Sequence, residues 1–163
     1  MAVEILLKLS NNVEGESQTK GHEKEIDIMS FSVGASNPSD IATGGGAGAG
    51  KVDISSLTLQ KQVDMSSVKL FTNCCKGTHF DNAVLTVREA GGDSPLEYFV
   101  INLKQVFIDT MTWGGATGAG KPTESVSISF AEFKMTYRQQ SKTGGEEKKD
   151  ELGWNLKTNA AAA

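Results

Sequence analysis

Apolar and polar residues alternate at every second position through most of this chain, and the pattern predicts a mainly β protein. In the longest such segment, 97–112, Phe99 and Ile101 share one face while Val106 and Ile108 carry the other phase. Long strands that change facing midway are required by a barrel or a strongly coiled double sheet. We therefore predict a β-barrel made of two packed, strongly coiled antiparallel sheets. The other predicted strands are 3–9, 26–33, 52–54, 57–59, 83–88, 126–130 and 133–137.

Turn-forming residues separate these strands. Breaks in the alternation at Ser55–Ser56 and Ala131–Glu132 predict a bulge or short turn at each place. Gly91–Pro95 is typical of a hairpin turn between two long strands. The charged segment Ser141–Glu151 predicts a solvated loop, and Leu152–Leu156 a last strand.

One segment departs from the β pattern and predicts a single helix that flanks the barrel. Ser66 suits the N-cap, Lys76 suits the last turn, and Gly77 suits the position after the helix end. Its apolar stripe consists of Leu70, Phe71, Cys74 and Cys75.

A long Gly-rich extended loop, Ser36–Gly50, contains a near match to a nucleotide-binding motif. Residues Gly45–Lys51 fit most of G-x-x-x-x-G-K-[ST], but Val52 replaces the hydroxyl residue that binds magnesium. A strand-like segment follows, where a phosphate-binding loop needs a helix N-terminus. The same spacing recurs at Gly115–Lys121, which runs into Pro122. The motif therefore does not predict a phosphate site.

Composition sets limits on the class of protein. The 163 residues suit one domain, which we place at 1–158, with 159–163 expected to be a disordered tail. A net charge of −4 disfavours nucleic acid as a partner, and no apolar run is long enough for membrane insertion. The N-terminal apolar segment has no basic region before it, so we expect no cleaved signal peptide.

The residues that could carry chemistry do not form a known constellation. His22 and His79 lie far apart in sequence, and neither belongs to a metal-ligand motif. Cys74 and Cys75 are adjacent, which suits two small residues on a helix better than a disulfide or a redox pair. We predict no catalytic site, no cofactor and no metal, and therefore not an enzyme.

A long glycine loop loses much entropy when it becomes ordered, so a second surface is expected to order it. Self-assembly supplies such a surface economically, because the loop can pack on a neighbouring copy. A monomeric β-barrel binding module for a small or extended ligand remains the alternative, and a nucleotide hydrolase is the third hypothesis.

The order of motifs resembles the haemolysin-coregulated protein family, the tube-forming subunits of bacterial type VI secretion systems. The resemblance runs nearly from end to end of the chain. It departs at Glu89, where the family commonly has a basic residue, and at Phe31, where Trp is common. The matching motifs are Gly15-Glu16-Ser17, His22 with Glu25-Ile26-Asp27, Gly44–Lys51, Lys61 with Asp64, Gly77-Thr78-His79, Arg88-Glu89-Ala90-Gly91-Gly92, Glu97-Tyr98, Phe130-Ala131, Tyr137 and Gly153-Trp154-Asn155.

This resemblance implies hexameric rings that stack into the inner tube, which a contractile sheath drives out of the cell behind a spike protein. The protein would be cytoplasmic before firing, then secreted without a leader, with effectors in the tube lumen. Phe31 and Ser32 become candidate lumen and effector contacts. The candidate ring-to-ring contact residues are Gly44, Gly45, Gly46, Gly48, Gly50 and Lys51.

Overall fold

The computed structural model describes residues 2–38 and 50–162, which form a mainly β fold with one helix and two antiparallel sheets. The elements are β1 Val3–Leu9, β2 Ile26–Asp27, β3 Ser30–Ser32, β4 Ala35–Ser36, β5 Asp53–Ile54, β6 Leu57–Gln62, α1 Ser67–Lys76, β7 His79–Glu89, β8 Glu97–Gly114, β9 Thr123–Ser129, β10 Glu132–Gln140, β11 Glu146–Asn155 and β12 Ala160–Ala161. This order confirms a mainly β chain with one flanking helix.

The 18-residue strand β8 organises the larger sheet, whose strand order is β12-β11-β10-β8-β7-β1-β2. The first half of β8 pairs with β7 and β10, and its second half pairs with β9. Strand β9 pairs in turn with β6, and β6 with β3. The smaller sheet is the pair β4–β5.

The predicted closed barrel is not found in the described part of the chain. The segment predicted as one strand over 26–33 forms two short strands, β2 and β3, with Ile28 and Met29 between them. The Ile28 N–H donates to the Ile5 carbonyl on β1, whereas the Met29 N–H donates to the Gln60 carbonyl on β6. Because the backbone changes partner across these two residues, the strand ladder is interrupted there.

Side chains from nearly every long strand meet in one hydrophobic core. Leu7, Leu85 and Ile101 approach it from β1, β7 and β8, and Leu59 and Val126 from β6 and β9. Full burial of such side chains contributes about 1.5–3 kcal/mol each, so this cluster is the main source of stability.

The change of phase within β8 has a local cause. Gln105 adopts φ 52° in the middle of the strand, so the residues before and after it alternate out of step. Leu103 and Val106 therefore both point into the core although an odd number of positions separates them. The long strand and its phase change are both confirmed.

The predicted helix is confirmed as α1, and Gly77 ends it at φ 66°. Its N-terminus differs in one detail from the expectation, because the Ser66 side chain makes no capping bond. Asp64 accepts the Ser66 backbone N–H instead. Cys74 is partly buried against the core, and Cys75 is exposed, so the predicted apolar stripe is narrower than expected.

The loop predicted at Ser141–Glu151 is confirmed only as far as Gly145, although residues 142–151 are exposed as the prediction of a solvated segment requires. Residues from Glu146 onward form β11, which pairs with β10 along nine positions. Its run of charged residues, Glu146–Glu151, suits an exposed strand near the sheet edge, where charge discourages aggregation. At the C-terminus, Ala160–Ala161 pairs with Trp154 and Asn155, and the domain boundary at residue 158 stays a prediction.

Candidate functional site

One face of the β3–β6–β9–β8 sheet is lined by small hydroxyl residues, and we call it the hydroxyl face. Cross-strand register brings its members together, since directly opposed residues share a face. Ser32 is opposite Thr58, Thr58 is opposite Ser127, and Ser127 is opposite Thr110. The face consists of Ser30, Ser32, Thr58, Gln60, Thr110, Thr112, Ser125 and Ser127, all half-buried or exposed.

Hydrogen bonds across the strands hold this face together. Gln60 donates through Nε2 to Ser125 Oγ at 3.0 Å, and the Thr58 and Ser127 hydroxyls lie 3.4 Å apart. At its edge, the Asp109 carboxylate accepts from the Ser56 and Ser129 hydroxyls at 2.7 and 2.8 Å. Every member of the face is uncharged. Hydroxyl groups both donate and accept hydrogen bonds, so water can hydrate this surface, and the surface does not favour ligands of one charge.

Directly behind the hydroxyl face lies a buried ion pair. Lys61 and Glu124 are the β6 and β9 neighbours of Gln60 and Ser125, and both are 1% exposed. Lys61 Nζ donates to Glu124 Oε1 and to Asp64 Oδ1, the latter at 2.9 Å. Glu124 also accepts from the Ser67 hydroxyl and the Trp113 indole N–H. This cluster ties the start of α1 to the back of the face.

Exposed apolar side chains lie near opposite ends of β8. At the α1 end, Phe71 packs on Trp113 with ring centroids 4.6 Å apart, and Trp113 remains 46% exposed. At the other end, the rings of Phe99 and Phe31 stack with their centroids 6.4 Å apart. The exposed side chains of Tyr137 and Leu152 lie next to Phe99. Single exposed apolar residues are ordinary, but clustered ones mark interaction surfaces.

The candidate lumen residues Phe31 and Ser32 lie on opposite faces of β3. Phe31 pairs with Leu59 on the core side and is half-buried, whereas Ser32 is exposed within the hydroxyl face. A wall that Ser32 lines therefore cannot also present Phe31. Both assignments stay predictions.

The candidate contact loop lies partly outside the described residues, which include neither Gly44, Gly45, Gly46 nor Gly48. Gly50 is described, and its N–H donates to the Pro38 carbonyl at 3.3 Å. A Cβ at Gly50 would meet that oxygen at 2.9 Å, which is too close. Lys51 is exposed, and a strand rather than a helix begins at Asp53.

Comparison with known proteins gives one consistent result. A family model described as "Type VI secretion system effector, Hcp" matches residues 6–137. The chain is 37% identical over 166 aligned residues to Protein hcp1 of Pseudomonas aeruginosa, covering 99% of this chain and all of that protein.

The chain belongs to the Hcp family of type VI secretion proteins. Solved structures agree with this assignment. One, described as a type six secretion system protein, matches with a TM-score of 0.92 at 29% identity, over 99% of this chain and 100% of that one. Hcp1 of Salmonella typhimurium matches with a TM-score of 0.81 at 28% identity, with the same two coverages.

Sequence reasoning found one member of the hydroxyl face in this Hcp chain, Ser32, and missed the others. A signal for them is present, because Ser125 and Ser127 alternate with buried Glu124 and Val126. It was not decisive because alternating serines also occur on ordinary solvent faces. Only the strand register shows that the serines of β3 and β9 lie on one surface.

Two further findings concern the described ranges of this Hcp chain. In residues 2–38 and 50–162, no group of three or more His, Cys, Asp or Glu residues is arranged to hold a metal ion. The helix α1 is neither long enough nor apolar enough to cross a membrane.

Proposed function

We propose that this chain is a structural tube subunit of a type VI secretion system. Six copies form a ring, the rings stack into the inner tube, and the tube is secreted with effectors in its lumen. The observation that carries this proposal is the hydroxyl face, together with the chain's membership of the Hcp family.

The hydroxyl face has the properties of a channel wall. Strands β3, β6, β9 and β8 form a continuous surface of uncharged side chains with the Asp109 carboxylate at its edge, and cross-strand hydrogen bonds such as Gln60–Ser125 hold its side chains. Such a wall stays hydrated and offers little for an apolar or charged cargo to adhere to. Ser32 is our candidate for a residue that contacts effectors.

The exposed apolar clusters supply surfaces for ring formation. Two clusters, Phe71 with Trp113 and Tyr137 with Leu152, lie near opposite ends of β8. The length of strand between them is about 45 Å. Contacts between two different patches of identical subunits are heterologous, and they close into a ring when the rotation permits. Aromatic residues at such patches are typical of interface hot spots.

Stacking of rings is assigned to the Gly-rich loop that ends at Gly50 and Lys51, as the resemblance implies.

The remaining partners follow from this role. The tube lies inside a contractile sheath, carries a spike protein at its tip and holds effectors in its lumen. It is cytoplasmic before firing and extracellular or inside a target cell afterwards. A structural tube needs no catalysis, nucleic acid or membrane insertion.

The test is the mass and shape of the purified protein. Light scattering after size exclusion should give six times the 17.3 kDa subunit mass, and negative-stain images should show rings. Val68 lies on α1 one turn before Phe71 and is exposed. Leu152→Glu and Val68→Glu should each shift the protein to monomer without loss of β-sheet signal, because both side chains are exposed. Lys142→Glu, in an exposed turn, is the matched control and should leave the rings intact.

A folded monomer at high concentration, with no rings, would contradict the proposal. It would favour the alternative of a monomeric binding module for a small or extended ligand. Shortening Gly44–Gly50 separates the two levels of assembly, because rings should survive while stacked tubes are lost.

A further inference from the structure

Residues 14–25 fold back on themselves and lie against the sheet, and we call this segment the strap. Its own backbone holds it together, through the Gly15 N–H to the Lys24 carbonyl at 2.7 Å and the Lys24 N–H to the Ser17 carbonyl at 2.8 Å. At its ends the chain is fixed by buried Val13 and by Ile26, which pairs with β1. The strap is therefore a closed loop anchored at both ends.

The face beneath the strap is the side of β1, β7 and β8 that points away from the core. Leu6, Thr86 and Val100 are cross-strand neighbours on this side, and all three are buried although they lie outside the main core cluster. Arg88 is also buried there and forms an ion pair with Glu4 at 2.7 Å. A cover is required for these side chains to be buried.

A bulge brings Glu97 to this same side. Val87 is opposite Phe99 while Arg88 is opposite Glu97, so one extra residue, Tyr98, interrupts the pairing. Bulges re-aim a side chain by changing its facing. Glu97 is thereby placed beside Arg88, within reach of the strap.

His22 is the connection between strap and sheet. Its Nε2 lies 2.7 Å from Glu97 Oε1, and its Nδ1 lies 2.9 Å from Glu25 Oε2. Among the hydrogen bonds of the described residues, His22–Glu97 is the one side-chain bond that joins residues 14–25 to the rest of the fold. The His22 and Glu25 side chains are 10% and 11% exposed, so solvent screens their contact poorly, whereas the Glu97 side chain is 42% exposed.

Two carboxylates on two ring nitrogens favour the imidazolium. A neutral imidazole has one N–H, so it can donate to one carboxylate only and turns a lone pair toward the other. The Glu25 side chain is 11% exposed, and within the described part of the chain neither its Oε2 nor His22 Nδ1 has a well-aligned hydrogen-bond partner, so their 2.9 Å contact is a charge pair. Loss of the His22 proton would leave this buried carboxylate without a cation, which is costly.

The surrounding charges do not replace that proton. On the strap itself, Glu23 is exposed and is attracted to His22, with Lys20 nearby. From β10, Arg138 donates to the Glu97 backbone carbonyl and pairs with Glu146 of β11. On β7, the Arg88 side chain is engaged by Glu4 of β1.

We infer that the strap is a pH-sensitive cover, locked onto the sheet by doubly protonated His22 between Glu25 and Glu97 and released when that proton is lost. The cover is closed in mildly acidic solution and opens more often in alkaline solution. Opening bares the side of the sheet that holds Leu6, Thr86 and Val100. Burial by itself lowers the pKa of His22, but the contacts with Glu97 and Glu25 outweigh it and raise the pKa above the usual value.

Hydrogen–deuterium exchange of the full chain tests this inference. After correction for the intrinsic effect of pH on exchange, protection of the strap amides should fall about threefold or more between pH 6.0 and pH 8.5. His22→Gln should give low protection that no longer depends on pH. His79→Gln is the matched control, because His79 is the other histidine and is exposed, and it should behave as the wild type.

Glu97→Gln provides a second variant that keeps the imidazole. It weakens one of the two attractions, so protection should be lost at a lower pH than in the wild type. Constant protection across the pH range in the wild type would overturn the inference. So would a pH dependence that persists unchanged in His22→Gln.

Discussion

The hydroxyl face and the face beneath the strap belong to the same larger sheet, yet they are built in opposite ways. The hydroxyl face carries uncharged side chains, and its buried ion pair, Lys61–Glu124, lies behind it. The strapped face carries charged side chains, and its cover lies in front of it. The hydroxyl face is stabilised by the ion pair behind it and has no described segment over it, so its side chains are accessible to a ligand or partner. The cover of the other is joined to the sheet, among the described residues, by one side-chain hydrogen bond, at His22, so the exposure of that face can change.

Removing the charge behind the hydroxyl face should have the largest effect. Glu124→Gln leaves the buried Lys61 ammonium with Asp64 as its carboxylate partner, and breaking a buried ion pair costs up to about 3–5 kcal/mol. Urea unfolding should show this loss of stability. Lys104→Gln, which breaks the exposed pair with Glu132, is the control and should leave the midpoint within error. Equal urea midpoints for the two variants would show that the buried pair stabilises the fold no more than the exposed pair does.

Crowding the strap should have the next largest effect. A Cβ at Gly15 would lie 2.4 Å from the Glu25 carbonyl oxygen, so Gly15→Ala must push the two arms of the strap apart. We expect a loss of about 2–3 kcal/mol, with faster hydrogen exchange confined to residues 14–25. Gly145→Ala is a suitable control, because its nearest contact, 3.9 Å from a side-chain oxygen, leaves room. Hydrogen exchange of residues 14–25 that is the same in Gly15→Ala as in the wild type would contradict the close approach of Gly15 to Glu25.

The pH dependence of stability should distinguish the two faces further. The pKa of His22 is raised in the folded protein, so its contribution is full below the unfolded pKa of about 6.5 and is lost as pH rises through the folded value. The difference in unfolding free energy between wild type and His22→Gln should therefore be larger at pH 6.0 than at pH 8.5. The same difference for Ser127→Ala should not change with pH. If the difference in unfolding free energy between wild type and His22→Gln grew with pH, the predicted direction of the pH dependence would be wrong.

Substitutions on the hydroxyl face itself should have the smallest effect on stability. Ser32→Ala removes an exposed hydroxyl, and Thr58→Ala removes one at the 3.4 Å contact with Ser127. Each should change the free energy of unfolding by less than about 0.5 kcal/mol. An effect on effector retention without an effect on stability would sharpen the assignment of this face. A loss comparable to Gly15→Ala would mean that the face is structural.

The sequence predicted the elements of this fold better than their connections. Alternation identified the long strand that became β8 and even its phase change, which Gln105 produces. The helix ended where Gly77 predicted. These signals are local, so they can be read without knowing which strands are neighbours.

Features that depend on pairing were not predictable in the same way. Glu146–Asp150 looks like a solvated loop because all five residues are charged, and only its partner β10 makes it a strand. The alternation over 26–33 slips at Ile28–Met29, and the strand is divided there because the backbone changes partner from β1 to β6. The slip marks a break, but it does not show which strands pair on either side of it. The contact of His22 with Glu97 could not be predicted, since no sequence rule connects the two residues and a bulge turns Glu97 toward the imidazole.

The most direct test of the central claim is a cryo-electron microscopy reconstruction of the assembled protein. We expect six copies around a channel, with Ser32, Thr58 and Ser127 facing the channel and Phe31 pointing away from it. A ring with the hydroxyl face outward, or particles that contain single copies, would contradict the account.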